Sequence, residues 1–191
     1  MNIIKEETNN IIIEKNSKFI TYSFIVYNKD QVKEKIKYLK NLHPKATHHC
    51  YAYILENEKN KSDDREPKNT AGLPILNVLE QNNIINTLIV VIRYFGGIEL
   101  GAGPLTRMYK TSATNILNIS KLIEVEKAYS IKLITTYQNQ KQLDYLLKDI
   151  TNVEKEFNKE VIYNFNYPIN QIQNIKKFNY EIIKELYIPK K

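Results

Sequence analysis

The most informative stretch of the sequence reads Arg93-Tyr94-Phe95-Gly96-Gly97-Ile98-Glu99-Leu100-Gly101-Ala102-Gly103-Pro104. Before it, the apolar residues 86–94 predict a buried strand. After it, a helix is expected from Pro104 to about Ile119, because proline is tolerated in a first helical turn. Glycines allow the backbone to turn sharply between the two elements. We call residues 96–103 the glycine turn; it predicts a tight connection from a strand into a long helix.

The glycine turn is a candidate anion site. Backbone N–H groups at the start of a helix attract negative charge, and an arginine binds phosphate through a planar pair of donors. Arg93 and Arg107 flank the turn, so phosphate or sulfate is the expected ligand. Two alternatives remain open: a strand–helix connection with a glycine cap and no ligand, or arginines that pair with nearby acids. Those acids are Glu99, Asp63, Asp64 and Glu66.

Rare residue types are concentrated around this stretch. All five glycines, all three arginines, all three histidines and the single cysteine lie between residues 43 and 107. Binding residues often gather in such connecting segments, so we predict the functional site here. The predicted ligand-binding residues are Arg93, Gly96, Gly97, Gly101, Gly103, Arg107, Asp64, Glu66, His48 and His49.

A predicted strand over residues 47–55 carries two of the histidines. Its alternation places His48 and Cys50 on one face and His49 on the other. A structural zinc site needs three or four converging ligands, and only two neighbours converge here. We therefore expect no metal site and no cofactor. Cys50 is interpreted as a small core residue, since buried cysteines usually behave as hydrophobes.

The charged residues 56–69, here called the acidic loop, contain almost no apolar side chain and predict a mobile surface loop. Its three carboxylates around Arg65 could hold a divalent cation or grip basic groups of a partner, or could simply keep the loop solvated. Thr70 is then expected to cap an amphipathic helix that runs to Glu80.

The N-terminal segment predicts further regular structure. Residues 9–14 and 17–26 are rich in β-branched and aromatic side chains and predict a hairpin. Residues 30–42 predict a helix from the spacing of their apolar positions, with Asn28 as its cap.

Beyond residue 120 the composition changes, because the chain contains no further Gly, Cys, His or Arg. The pattern predicts, in order, a strand 129–136, a helix 138–150, strands 153–157 and 160–167, and a helix 171–186. This β-α-β-β-α order is that of a ferredoxin-like unit whose last strand is short or missing. The sequence therefore predicts an α+β protein of two domains, residues 1–126 and 127–191.

Composition narrows the expected cellular compartment and the kinds of partner. The formal net charge of +7 suits RNA binding through phosphate neutralisation, although the abundant lysine and asparagine share A/T-rich codons and fit a genomic bias equally well. No run of about 18 apolar residues is present, so no membrane helix is expected. A single cysteine excludes an internal disulfide and favours a cytoplasmic protein. The oligomeric state does not follow from the sequence.

Several ordered motifs between residues 17 and 120 resemble the IMPACT/YigZ family. They are His48-His49-Cys50-Tyr51-Ala52-Tyr53, Asp63-Asp64-Arg65-Glu66-Pro67, Thr70-Ala71-Gly72-Leu73-Pro74-Ile75-Leu76 and the stretch from Arg93 to Gly103. The resemblance implies an N-terminal domain like the second domain of ribosomal protein S5 and a ferredoxin-like C-terminal domain like one of the translational elongation factors. It also implies a link to translation, since eukaryotic relatives regulate translation by protein contact.

The sequence departs from the family pattern at a few positions. Members usually carry glycine where Arg65 stands, Ser-Gly at Lys68-Asn69, and glycine at Pro104. The two glycines lost from the acidic loop make that loop stiffer and more basic.

These observations lead to one leading hypothesis and two alternatives. We expect a non-enzymatic, translation-linked regulator that binds RNA or a ribosome-associated protein surface. The first alternative is an enzyme that acts on a phosphorylated or nucleotide-like small molecule at the glycine turn, by analogy with small-molecule kinases of similar fold. The second is an adaptor that only contacts other proteins.

Overall fold

The structure is a computed structural model that describes residues 1–190. They form two compact units, the first Met1–Glu124 and the second from Val125 onward. Both units combine antiparallel sheets with helices, so the predicted α+β class with two units is confirmed. No helix within the described residues is long and apolar enough to cross a membrane.

The first unit is built on a five-stranded antiparallel sheet. Its elements are β1 (Asn2–Ile4), β2 (Thr8–Glu14), β3 (Ser17–Ile25), α1 (Lys29–Leu42), β4 (His48–Ile54), β5 (Lys59–Ser62), α2 (Gly72–Gln81), β6 (Thr87–Tyr94) and α3 (Ala102–Ser120). The strand order is β2-β3-β6-β4-β5. Apolar residues of α2 and α3 pack against one face of this sheet, and those of α1 pack against the other.

Local sequence signals explain several of these elements. The predicted hairpin forms as β2 and β3, and β6 is buried from Thr87 to Arg93. The predicted helix α1 begins after Asn28, whose side chain accepts a hydrogen bond from the backbone N–H of Gln31 at 2.9 Å. Asparagine at this position satisfies an N–H that the helix itself leaves unpaired.

Two predictions near the acidic loop were wrong. The loop contains strand β5, which pairs with β4, because backbone pairing at a sheet edge needs no apolar side chains. Thr70 does not cap α2, since its hydroxyl donates to the carbonyl of Pro67. The capping group is the carboxylate of Asp63, which accepts the N–H of Ala71 and of Gly72.

The second unit has the strand order β10-β7-β9-β8, all antiparallel. Its elements are β7 (Leu122–Thr135, whose first three residues pair with β1), a 3₁₀ turn (Tyr137–Asn139), α4 (Gln140–Leu146), β8 (Glu154–Phe157), β9 (Val161–Pro168), a 3₁₀ helix (Ile169–Ile175) and β10 (Asn179–Pro189). This is the β-α-β-β-α-β succession of a ferredoxin-like unit, with a 3₁₀ helix in the place of the second α-helix.

The end of the chain differs from its prediction. We expected a helix over residues 171–186 and a last strand that was short or missing. Instead a short 3₁₀ helix ends at Ile175, and β10 runs for 11 residues. Its residues are rich in isoleucine and tyrosine, which favour strands, and pairing along β7 satisfies their backbone groups. The helical spacing of the apolar residues was misleading, because most side chains of β10 are exposed and do not form a buried helix face.

Candidate functional site

The motifs of the first unit meet at one buried carboxylate. Oε1 of Glu66 accepts hydrogen bonds from Arg93 Nη1 and from the hydroxyl of Tyr109, each at 2.8 Å. His48 Nε2 lies 3.7 Å from the same oxygen. Cys50, on the same strand as His48, donates its S–H toward the Tyr109 hydroxyl at 3.3 Å. We call these five residues, His48, Cys50, Glu66, Arg93 and Tyr109, the Glu66 cluster.

Arg93 is committed to internal contacts. Its side chain is only 7% exposed, and Nη2 donates to the Ser17 hydroxyl at 3.4 Å besides the ion pair with Glu66. Its guanidinium also lies 5.5 Å from the ring centre of Phe19 and 5.6 Å from that of Phe95. The pairing of an arginine with a nearby acid, left open by the sequence, therefore holds for Arg93. Phosphate binding by Arg93 stays a prediction, and Nε is the buried guanidinium nitrogen without a hydrogen-bond partner among the described residues.

Cys50 sits in the core as the sequence suggested. It is fully buried, and its Sγ lies 3.0 Å from the carbonyl of Asp63 and 3.3 Å from the Tyr109 hydroxyl, so its single S–H is shared between these two acceptors. Burial raises the pKa of the Cys50 thiol far above its usual range, and burial likewise raises the pKa of the Tyr109 hydroxyl. A thiol must lose its proton to act as a nucleophile. The environment of Cys50 therefore favours a structural role.

The acidic loop is held in place by its own carboxylates. Asp63 Oδ1 accepts the N–H of Ala71 at 3.1 Å and of Gly72 at 2.8 Å, and Oδ2 accepts that of Asn69 at 2.9 Å. Burial acts to raise the pKa of Asp63, but the three N–H donors outweigh it, so the pKa lies below its usual value. Asp63 thus ties the loop to the start of α2, where a negative charge is favourable.

Asp64 ties the same loop to β4. Its carboxylate accepts the backbone N–H of His49 at 2.6 Å, and its carbonyl accepts a hydrogen bond from Nδ1 of His48 at 2.8 Å. His49 points to the other face of the sheet and is buried, and that burial lowers the pKa of its ring. Across residues 1–190, no three His, Cys, Asp or Glu side chains are arranged to hold a metal ion.

Three positions of the acidic loop have a positive φ: Asp64 at +38°, Arg65 at +70° and Asn69 at +64°. Glycine adopts a positive φ freely, whereas other L-residues are strained there. The sequence departs from the family pattern at Arg65 and Asn69, where glycine is usual. Arg65 is partly compensated by a hydrogen bond from Nη2 to the carbonyl of Thr47 at 3.1 Å.

The glycine turn needs glycine at particular places. A Cβ at Gly96 would lie 2.1 Å from the backbone carbon of Asn16, and Gly97 and Gly101 have φ +83° and +75°. Gly103 faces open space and has no such requirement. Gly101 is the residue before α3, so the helix begins at Ala102, two residues earlier than predicted.

A cavity of about 310 Å³ opens at the start of α3. Its lining includes the Glu66–Arg93 pair, Glu99, Gly101 and Ala102. Arg107 is not part of the lining and is exposed on α3. The structure therefore brings His48, Asp64, Glu66 and Arg93 together beside the glycine turn and leaves Arg107 outside, while His49 faces the other side of the sheet.

Sequence reasoning missed Tyr109 and Ser17. Tyr109 is fully buried and joins Cys50 to Glu66; its four-residue spacing from Leu105 along α3 was the available signal. Ser17, at the start of the predicted second strand of the hairpin, accepts a hydrogen bond from Arg93 and the N–H of Gly96 at 3.2 Å.

Comparison with known proteins identifies the family of this chain. The model of the Impact N-terminal domain matches residues 15–117. The chain belongs to the IMPACT family. The IMPACT family member YvyE of Bacillus subtilis (strain 168) is 40% identical over 124 residues, 63% of this chain and 57% of that protein. The protein IMPACT homolog of Dictyostelium discoideum is 34% identical over 117 residues, 59% of this chain and 34% of that protein.

The two relatives align with this chain over part of their length, whereas one solved structure aligns over nearly the whole of both chains. The alignments span about half or less of the length of the two IMPACT relatives. A crystal structure described as that of a hypothetical protein covers 96% of this chain and 97% of its own, with a TM-score of 0.66 and 23% identity. The fold of this IMPACT family chain is therefore shared over both units.

Proposed function

We propose that this IMPACT family protein is a translation-linked regulator that acts by binding RNA or a ribosome-associated surface. Family membership supports the link to translation, in line with the regulatory role that the resemblance implies for eukaryotic relatives. The net charge of +7 supports an anionic partner, since lysine and arginine neutralise phosphates.

The chemistry of the Glu66 cluster favours binding over catalysis. Its carboxylate and guanidinium are buried and paired with each other, and its thiol is held protonated by burial. Groups arranged in this way stabilise the loop and strands that carry them. The protein then acts through its surface.

The exposed start of α3 is the observation that carries the proposal. Gly101, Ala102 and Gly103 are exposed at the beginning of a 19-residue helix, where unpaired N–H groups favour negative charge. Arg107 is exposed one turn further and forms no ion pair within residues 1–190. We infer that Arg107 and these amides contact phosphate.

The test replaces Arg107 with alanine and measures RNA retention on a filter at several salt concentrations. We expect binding to weaken by about 1–3 kcal/mol, the range for charged hydrogen bonds, with the Tm nearly unchanged because the side chain is exposed. Lys110→Ala removes an exposed cation from the same helix and serves as the matched control. An Arg107→Ala protein that binds as well as wild type but loses several degrees of Tm would show a structural arginine and defeat the phosphate contact.

The identity of the partner is tested separately. The full chain is used to capture partners from a lysate, with and without nuclease. Ribosomal RNA and proteins that disappear after nuclease treatment would support RNA binding, whereas ribosomal proteins retained after treatment would support a protein surface of the ribosome. Absence of any ribosomal component in both arms contradicts the proposal.

A second candidate rests on the 310 Å³ cavity at the start of α3. Nε of the buried Arg93 has no hydrogen-bond partner among the described residues and could meet a phosphorylated small molecule. A ligand at a hundred times its Kd raises stability by about 2.7 kcal/mol, so a Tm that rises with nucleotides or sugar phosphates favours this candidate. A Tm that stays constant removes it.

A further inference from the structure

A row of four rings lies on the face of the first sheet that carries α1. The ring centres of Phe24 and Tyr22 are 6.1 Å apart with planes only 3° from parallel, and Tyr22 lies 5.7 Å from His43. Tyr94 continues the row at 6.0 Å from His43. We call Phe24, Tyr22, His43 and Tyr94 the aromatic row. It contains no residue of the glycine turn or of the Glu66 cluster.

Hydrogen bonds fix the aromatic row. The hydroxyl of Tyr22 bonds to Nε2 of His43 at 2.9 Å, and that of Tyr94 bonds to Nδ1 at 3.0 Å. Both ring nitrogens of His43 are therefore engaged by hydroxyls. Burial, and after it the charge of Lys18, lowers the pKa of His43. The rings are held in fixed positions before any partner arrives, which reduces the ordering cost of binding.

The surroundings of the row are exposed and apolar. Tyr38 of α1 is 56% exposed, and its hydroxyl lies near enough to Tyr22 to contribute, after burial, to the raised pKa of Tyr22. Ile13 of β2 is 68% exposed and is paired with Lys18 of β3. Directly opposed residues of antiparallel strands share a face, and Lys18 and Tyr22 share one by alternation. Ile13 therefore extends the surface of the row.

Positive charge without a counter-ion borders this surface. Lys18 and Lys40 are exposed and form no ion pair with any described residue. Each contributes to a lowered histidine pKa on this face, Lys18 at His43 and Lys40 at His49, although burial is the larger cause at both. A third cation, Lys35, lies 4.7 Å from the centre of the Phe24 ring but pairs with Glu7. Unpaired lysines beside the exposed Tyr38 and the half-buried rings of Tyr22, His43 and Tyr94 favour an anionic partner that carries rings of its own.

We propose that Tyr38 and the half-buried rings of Tyr22, His43 and Tyr94 bind single-stranded RNA, with bases stacked on these rings and phosphates held by Lys18 and Lys40. Phe24 is buried and packs beside Tyr22 without offering a stacking surface. The proposal rests on the proposed function and adds a base-stacking surface that is separate from the phosphate contact proposed at Arg107. Proteins that hold single strands combine rings on which bases stack with cations that follow the backbone. An acidic peptide would use the lysines but gains little from fixed rings, and a duplex hides its base faces.

The test measures fluorescence anisotropy of a labelled oligouridylate with the full chain. Tyr38→Ala combined with Tyr94→Ala should weaken binding at least about tenfold, because each base stacked on a ring contributes on the order of 1–3 kcal/mol. Tyr38→Phe with Tyr94→Phe keeps the rings and should bind within about twofold of wild type. Tyr145→Ala removes a tyrosine that is 69% exposed in the second unit and is the matched control. Tyr38→Ala alone replaces the double variant if the latter does not fold.

The lysine contacts are tested by salt dependence. Lys18→Ala should lower the slope of log K against log salt by about 0.7, the value for one phosphate contact on a single strand. Lys33→Ala, whose charge is already paired with Asp30 at 3.4 Å, should leave the slope unchanged.

The outcomes separate this inference from the proposed function. Wild type that binds no oligouridylate removes RNA from the proposed function. If wild type binds and the Tyr38→Ala, Tyr94→Ala protein binds equally well, the proposed function stands, but the aromatic row is not its site. Polyglutamate that displaces the oligouridylate at equal charge concentration indicates an acidic protein partner and also overturns the inference.

Discussion

The Glu66 cluster and the aromatic row lie in the same unit, but the charged groups at the two places differ in burial and in pairing. In the Glu66 cluster the charges are buried and satisfied by each other. In the aromatic row, His43 forms hydrogen bonds with the hydroxyls of Tyr22 and Tyr94. The neighbouring Lys18 and Lys40 are exposed and have no counter-ion among the described residues. The Glu66 cluster of the motif-rich segment thus builds the fold, whereas the surface proposed to stack RNA bases carries little motif signal.

The strongest test of this contrast is Gly96→Ala. The added Cβ would meet the backbone of Asn16 at 2.1 Å, and backbone cannot move aside cheaply. We expect a loss of more than about 4 kcal/mol in the free energy of unfolding, as for the most disruptive substitutions, measured by urea denaturation. Gly103→Ala, in open space in the first turn of α3, should be neutral or stabilise by up to about 1 kcal/mol. Equal stability of the two variants would show that the glycine turn does not hold the fold.

Glu66→Ala should produce the next largest effect. It leaves Arg93 buried without its counter-ion, and breaking a buried pair in this way costs about 3–5 kcal/mol. Glu66→Gln should cost less, because the amide oxygen still accepts from Tyr109. Glu99→Ala removes an exposed carboxylate from the same cavity and should change stability by no more than about 0.5 kcal/mol. If Glu66→Ala were as mild as Glu99→Ala, the cluster would not be structural.

Much of the first unit follows from local sequence signals. Asn28 with apolar positions at helical spacing predicts α1, and alternating β-branched residues predict the hairpin of β2 and β3. These features depend on neighbours in the chain, so the sequence contains the necessary information.

The site and the last strand depend on distant partners. Glu66 and Arg93 are 27 residues apart, and nothing local decides which of several acids the arginine meets. The capping of α2 by Asp63 is hidden for the same reason, since Thr70 is the nearer candidate. The 11-residue β10 becomes a strand because β7 offers it a complete edge, and tertiary pairing of this kind overrides local preference.

Asp63→Ala should have a moderate effect. Losing a helix cap costs about 0.5–2 kcal/mol, and Asp30→Ala, in the exposed first turn of α1, is the control. The pKa of Asp63 is lower in the folded state, so its contribution is present above the ordinary aspartate pKa of about 3.9 and is lost as the pH falls through the folded value. The stability difference between wild type and Asp63→Asn should therefore shrink in acid. A difference independent of pH would contradict the role of the carboxylate charge.

The smallest effect on stability is expected for the exposed side chains that border the aromatic row. Tyr38→Ala and Lys18→Ala remove exposed side chains and should each change the free energy of unfolding by no more than about 0.5 kcal/mol. Thermal and urea denaturation provide the measurement. A loss of several kcal/mol from either variant would make this surface a second structural cluster and erase its difference from the Glu66 cluster.

The buried thiol in the Glu66 cluster has a practical consequence. Cys50 is the sole cysteine of the chain and has no exposed surface, so an alkylating reagent reaches it only when the structure around it opens. The rate of alkylation under native conditions therefore reports how often this part of the sheet opens, in the way that amide exchange reports local unfolding. The protein carries a natural reporter at the centre of its motif-rich segment, and no labelling site has to be engineered to follow its opening motions.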